Sequence, residues 1–379
     1  MNRRLLFLVL VAACGGSATR YRPPPPKDSG PIATMQAHFI DVGQGDATLL
    51  EFPCAAALID TGGELDDSFD SVAALRSYLD AFFARRTDLA GTLDLLVLTH
   101  PHIDHVRGVP MVLERYKVKS VIDDGLERSS GAAEVVQLHQ WLRAHPEVKH
   151  EDIVAERTLP AGLTDDIIDP IRCPDVDPTI RVLWGRVDAD PGWAPDYFGK
   201  NPYQNDNNHS VVVRVDFGRA SFLFPGDLEE AAIADLVHDH HDTGLLDVDV
   251  YKVGHHGSRN GTTAAELALM TPRLAVISMG PTTRHWDWTA WQYGHPNRRA
   301  VELLEAKVEG RRAARDVQVG ERRQEFTPMH LGAAIYATGW DGTVVVEATT
   351  RGKVKVVQPA APPRSPQSQR SVIDQPSWM

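Results

Sequence analysis

The chain has 379 residues, 42% of them hydrophobic and 24% charged, and a formal net charge of −12 at pH 7. Such a composition is that of a globular protein with one large domain or two. The negative balance excludes a broad basic footprint for nucleic acid, though not a local basic patch.

Met1 to Cys14 joins Arg3 and Arg4 to a short apolar run. The run is too short to span a bilayer and reads as a secretory signal peptide over residues 1–13. Val11 to Cys14 resembles a bacterial lipobox. That implies lipidation of Cys14 and an exported, membrane-anchored lipoprotein of the cell envelope. An ordinary cleaved signal with an incidental cysteine is the plainer alternative. Residues 14–34, with Pro23 to Pro26, read as a flexible tether, and 357–379 as a disordered tail. The domain between them spans 35–356. Export would permit a disulfide between Cys54 and Cys173, but sequence cannot show that they meet. Two buried free thiols is the preferred reading.

Within the domain, Phe39 to Val42 and Ala47 to Phe52 read as strands around Gly43 to Gly45, followed by a strand over Ala55 to Asp60. Phe69, Val72, Leu79 and Phe82 give a helical period over 66–86. A strand over 93–99, helices over 109–116 and 132–145, and a strand over 118–122 follow. This alternation predicts a layered α/β fold. Residues 146–205 are less regular, and their aromatic segment Asp190 to Tyr203 either lines a substrate groove or is a surface excursion. Strands over 210–217, 220–225, 247–253 and 274–279 alternate with helices over 228–238, 264–270 and 298–308. Ala333 to Ala337 and Thr343 to Ala348 read as a closing hairpin around Asp341 and Gly342.

The chemistry concentrates after the strand 93–99, where His100, His102, Asp104 and His105 fall within six residues. Imidazoles and a carboxylate so close, on a loop at a strand's C-terminal end, read as ligands for a divalent metal. A loop lets His100 and His102 face one way and Asp104 and His105 another. Two metals about 3.5–4 Å apart could then share it. Asp227, the pair His255 and His256, and His295 each follow an apolar strand in a glycine-containing turn. Alone, Asp227 would read as a helix N-cap.

Taken together, seven segments carry a resemblance: Asp41 to Asp46, Leu58 to Gly62, Thr99 to His105, Asn207 to Ser210, Pro225 to Asp227, Lys252 to Ser258 and Tyr293 to Pro296. In this order they resemble the metallo-β-lactamase fold, in its ComEC-like competence-protein branch. The resemblance implies an α/β, four-layer αββα sandwich with a dinuclear site at one edge. It implies His100 and His102 on one metal, Asp104 and His105 on the other, Asp227 bridging, and His295 completing the ligands of the second metal. The ions would be Zn2+, with Mn2+ as the alternative. One of His255 and His256 would be a ligand and the other an acid or oxyanion stabiliser. Asp41, Gln44, Asp46 and Asp60 would orient ligands, or Asp41 and Asp60 would only stabilise turns. At the branch's Asn-Asn-x-Ser segment, strand alternation lets either Asn208 or His209 face the site, and Asn208 is favoured.

The implied function is an exported metallo-hydrolase, a phosphodiesterase attacking with metal-activated hydroxide. Relatives in that branch include a DNA-degrading domain and phosphodiesterases of cell-wall phosphocholine. A nuclease, which the charge does not favour, and a non-catalytic envelope binding module are the alternatives. The aromatic run His285 to Tyr293 either walls a substrate pocket or packs a loop onto the core.

Overall fold

The computed structural model describes residues 32–196 and 199–357. The signal-peptide, lipobox and tail readings, and most of the tether, lie outside the described residues. Among those described, no helix is long and apolar enough to cross a membrane.

Short apolar runs dominate the strands because both faces of each sheet are covered. In Ala56–Ile59 the side chains of Ala57 and Ile59 enter one core and that of Leu58 enters another. Leu95–Val97 repeats the pattern, with Leu95 and Val97 on one side and Leu96 on the other. Period-two alternation thus operates between two apolar environments rather than between oil and water.

Two sheets result. The larger has eight strands in the order Lys149–Asp152, Ser120–Asp123, Leu95–Val97, Ala56–Ile59, Thr48–Glu51, Thr34–Phe39, Val344–Thr349 and Val354–Val357. The smaller has six, in the order Thr179–Trp184, Val212–Phe217, Ala220–Phe224, Val250–Lys252, Leu274–Ile277 and Ile335–Ala337. Phe39, Ile59 and Val97 of the first sheet and Val213, Phe222 and Val276 of the second share the central core. Helices Ser71–Arg85, Val109–Arg115 and Ala132–Ala144 cover the outside of the first sheet through Leu79, Val112 and Leu138. Glu230–His240 and Arg298–Lys307 cover the second through Ile233, Leu236, Val301 and Leu304. This is the four-layer αββα arrangement.

Three readings are corrected. Residues 333–348 form no hairpin. Ile335–Ala337 runs parallel to Leu274–Ile277 in one sheet, whereas Val344–Thr349 runs antiparallel to Thr34–Phe39 in the other. The Asp341 carboxylate explains the switch. It accepts from Arg312, Arg315 and the backbone N–H of Ala337, which winds 338–341 into a helical turn instead of a hairpin turn. Cys54 and Cys173 are not free thiols. They form a disulfide across 119 residues of sequence, with Cα atoms 5.6 Å apart. Finally, the stretch 311–333, left unassigned by sequence, is a long antiparallel arm of Arg311–Arg322 and Glu325–Ala333. Val317 and Val319 on one strand and Met329, Leu331 and Ala333 on the other alternate toward the core beneath the covering helices, while the remainder of the arm is polar.

Candidate metal centre

The site forms where five strands end. Ala56–Ile59 and Leu95–Val97 are parallel neighbours, so Asp60 and the segment from Thr99 to His105 emerge side by side. In the other sheet Ala220–Phe224, Val250–Lys252 and Leu274–Ile277 are parallel and deliver Asp227, the His255–His256 turn and Ser278 to the same edge. Gly63 lets the Asp60 turn press on this edge. A Cβ there would stand 1.9 Å from the Cα of Asp104, so only glycine fits.

Asp227 is the centre of the cluster. Its Oδ2 lies 3.1 Å from His256 Nε2, 3.3 Å from His105 Nε2, 3.8 Å from His255 Nε2 and 4.0 Å from His100 Nε2. Asp104 Oδ2 is 3.3 Å from His256 Nε2. Asp104, His105, Asp227 and His256 therefore offer four ligand atoms within 4.8 Å of one another. His100 Nε2 meets His102 Nδ1 at 3.0 Å on the other side.

The ligands are held from behind. His105 Nδ1 is 2.7 Å from Asp60 Oδ2, and His256 Nδ1 is 2.8 Å from the Ser278 carbonyl. Asp60 is in turn fixed by Thr99, whose N–H and hydroxyl both donate to it at 2.8 Å. With Nδ1 of each spent on these oxygens, His105 and His256 bring their Nε2 atoms within 3.2 Å of each other, both toward Asp227. Backbone strain accompanies this placement. Asp60, His255 and His256 all adopt positive φ, at 58°, 46° and 52°. Such conformations are uncommon outside glycine and persist where surrounding contacts fix them.

Burial and charge oppose each other here. Burial lowers His105 and His256, but Asp227 with its carboxylate neighbours outweighs it, raising His105 well above the ordinary imidazole range and His256 to about 9. His100 and His295, also buried but facing mainly other imidazoles, are held well below it. Burial would raise Asp227, yet the surrounding histidines hold it well below the carboxylate range. Two carboxylates facing two imidazole Nε2 atoms gather positive charge in this space, as protons on the rings or as a cation in their place. The second oxygen of Asp227, Oδ1, is buried without a hydrogen-bond partner. This donor set fits a divalent ion of borderline softness.

The remaining residues named from sequence are distributed as follows. His256, rather than His295, stands with Asp104, His105 and Asp227. The His295 ring, also buried, stacks on that of His256, 6.1 Å away at 26°. Asn208 and His209 both turn away from the cluster. Asn208 bonds the Pro202 carbonyl and the Glu229 N–H, and His209 bonds the Val187 N–H and the Tyr203 carbonyl. The alternation argument fails because residues 206–209 form a 3-10 turn, not a strand. It is Asn207 that reaches inward, donating to Glu229 Oε1 at 2.8 Å with its Nδ2 3.4 Å from His255 Nε2. Asp41 accepts from the Gly43 N–H and serves its own turn. Gln44 is buried, and its side-chain amide makes no hydrogen bond. Asp46 forms a buried ion pair with Lys252.

Glu229 and Lys252 escaped sequence reading as site residues. Glu229 Oε1 stands 3.3 Å from His255 Nδ1, off the line of a hydrogen bond. Lys252 is fully buried, and Asp46, Asp227 and Asp60 hold its pKa above the usual value against the burial that would lower it. A lysine inside the apolar run from Val248 to Val253 was the available signal, because an unpaired buried ammonium is costly. The aromatic run divides. Trp291 stacks on His285 with ring centres 4.6 Å apart, whereas Trp286 and Trp288 are 57% and 62% exposed. Of the Asp190–Tyr203 loop, Trp193 is bonded to Asp235 of the covering helix, while the carbonyls of Pro202 and Tyr203 brace the 206–209 turn.

Sequence comparison finds ComE operon protein 3 of Bacillus subtilis (strain 168), 27% identical over 285 residues, 71% of this chain and 30% of that protein. Recombination protein 2 of Haemophilus influenzae is 24% identical over 269 residues, 69% of this chain and 26% of that protein. The chain thus spans less than a third of either relative. Among solved structures, the metallo-beta-lactamase fold protein YhfI from Bacillus subtilis aligns with 74% of this chain and 95% of its own, at 10% identity and a TM-score of 0.37. The family model for the metallo-beta-lactamase superfamily matches residues 40–280, well over half of the sequence and all of the strand ends that carry the cluster, and the chain belongs to that superfamily.

Proposed function

We propose that this member of a hydrolase superfamily is an exported metal-dependent phosphodiesterase. The single observation that carries the reading is the convergence of four histidine ring nitrogens on Asp227 Oδ2, at 3.1 to 4.0 Å. Asp104, His105, Asp227 and His256 would hold one divalent ion, and His100 and His102 would hold a second with Asp227 between them. Zn2+ suits these donors best, and Mn2+ is the alternative. When bound, such ions supply a water of lowered pKa and neutralise charge on a phosphoryl group.

The chain's own residues do the rest. Asp60 and the Ser278 carbonyl fix the tautomers of His105 and His256, so that Nε2 of each faces inward. Lys252 offsets the charge of Asp46 behind them. His255 is the solvent-facing member of the pair, with 19% of its side chain exposed, and Glu229 lies beside its Nδ1. It is the group placed to hand a proton to a departing oxygen. Asn207 beside it would bind a phosphoryl oxygen or the leaving group.

Export and the lipid anchor at Cys14 rest on the first fourteen residues, and the Cys54–Cys173 disulfide supports an oxidising compartment. Metal-loaded protein assayed on bis-p-nitrophenyl phosphate tests the activity. Turnover that disappears on chelation and returns with Zn2+ or Mn2+ is expected, and an inert loaded protein would end the proposal. A nuclease is the second reading. It is favoured by the name of one relative, Recombination protein 2, and by exposed Trp286 and Trp288. Trp288 lies edge-on to Tyr293, which stacks on His295. Bases stack on such rings. Cleavage of DNA that falls steeply with added salt would select it.

A further inference from the structure

A second cluster of metal-ligating groups lies on the other side of the larger sheet's active edge. Asp123 ends the strand Ser120–Asp123, His139 projects from the helix Ala132–Ala144, and His150 belongs to the edge strand Lys149–Asp152. Both histidines direct Nε2 at one oxygen. His139 Nε2 is 2.9 Å and His150 Nε2 3.3 Å from Asp123 Oδ2. The three ligand atoms fall within 4.8 Å of one another. Asp123 is buried and the two histidines are half-buried, at the floor of a cleft of about 380 Å³ that His139, His150 and Arg143 line.

We infer that Asp123, His139 and His150 bind a divalent cation of the Zn2+ class, separate from the Asp227 centre. Donor atoms on a tetrahedral zinc, at about 2.0–2.1 Å from the ion, stand about 3.3 Å from one another, close to the 2.9 and 3.3 Å from each histidine to Asp123. Nδ1 of His139 is 2.7 Å from Glu127 Oε1. That contact orients the ring, as a carboxylate behind a metal-bound histidine does, and a bound ion would replace the proton that Nε2 shares with Asp123. Two histidines and one carboxylate leave a fourth position open to the cleft for water. The ion would tie three elements together at the edge of the sheet. Lys149–Asp152 is the outermost strand and pairs only through the register Lys149↔Ser120 to Asp152↔Asp123. Its side chains are exposed or half-buried, so packing alone holds it weakly.

The test counts metal. Full-length protein is stripped with chelator, reloaded with Zn2+, desalted and analysed for zinc per chain, with His150→Gln beside it. The variant is expected to hold one equivalent less than the native chain, and Zn2+ should raise the melting temperature of the native chain more than that of the variant. Equal zinc content in the two proteins overturns the inference. Should His150→Gln fail to fold, histidine modification by diethyl pyrocarbonate, mapped by mass spectrometry on the native chain, decides. Zn2+ should protect both His139 and His150, and unchanged labelling of the two overturns the site. Failure of phosphodiesterase turnover would leave this zinc difference untouched, so the two readings fail separately.

Discussion

His105 and His256 are each fixed from behind, whereas His100 and His102 are fixed mainly by one another. A carboxylate holds Nδ1 of the first and a backbone carbonyl that of the second, so Nε2 of both is committed to the space beside Asp227. On the other side, His100 leans on the Thr99 hydroxyl at 3.1 Å and spends Nε2 on His102 Nδ1. The charge pattern follows the same division. Carboxylates draw His105 and His256 toward the protonated form, while burial among imidazoles keeps His100 neutral. A preorganised pocket takes an ion without rearranging, while the looser pair must first give up a contact. The two halves should therefore differ in affinity, and that difference can be broken or sharpened experimentally.

The largest effect belongs to the group both halves share. Asp227→Asn should reduce hydrolysis to background and remove metal from both positions, as read by turnover and zinc content. A variant that keeps one tightly held ion would show that the halves are independent. Next comes the buttress. Asp60→Asn should lower activity or metal affinity by about 10- to 100-fold, the range found when the partner of a metal-binding histidine is lost. The loss should fall on the Asp104–His105–His256 half, seen as the tighter phase of a zinc titration. His100→Gln is expected to weaken only the looser phase. If His100→Gln and His256→Gln abolish the same phase, the asymmetry is wrong.

A control should leave the comparison intact while destabilising the whole. Replacing Cys54 and Cys173 by serine releases a closure of 119 residues of chain. It should cost about 2–5 kcal/mol in urea unfolding with both zinc phases retained. The smallest effect concerns the support of the His255–His256 turn. The Tyr251 hydroxyl lies 3.4 Å from the Gly254 N–H, 3.4 Å from Thr262 and 3.3 Å from both oxygens of buried Glu266. Burial pushes Glu266 up to about 7 from an ordinary 4.5. A carboxyl raised in the folded state binds its proton more tightly there than in the unfolded chain. Its stabilising contribution is complete below about 4.5 and is lost as pH rises through 7. Glu266→Gln should flatten the melting temperature across that window, and an unchanged slope would exclude Glu266 as its source.

Much of the architecture was legible because local rules decided it. Apolar runs of strand length, helical periodicity over 66–86 and 132–145, and glycine turns after strands are properties of short windows, and they located most elements within two or three residues. The cluster His100 to His105 was legible for the same reason, since its members are adjacent in sequence. Asp60 was legible only as one of several acidic residues at strand ends, and its bond to His105 was not.

What sequence left open depends on contacts between distant segments. Asp341 looks like a hairpin turn residue until Arg312 and Arg315 claim its carboxylate. Asn207, Asn208 and His209 could be ordered by strand alternation only if they lay in a strand, and the carbonyls of Pro202 and Tyr203 wind them into a turn instead. His256 and His295 both follow buried strands, and only the fold brings the first within 4.8 Å of the Asp104, His105 and Asp227 ligand atoms while stacking the second on it. Cys54 and Cys173 meet because the two segments pack together at one end of the central core. Sequence patterning by itself determined a layered α/β class and the residue types available for metal chemistry, and the resemblance of the motifs implied the four layers. Tertiary structure alone decided which nitrogen faces which oxygen, because hydrogen bonds and ligand geometry are set at tenths of an ångström by residues far apart in sequence, 151 positions for His105 and His256.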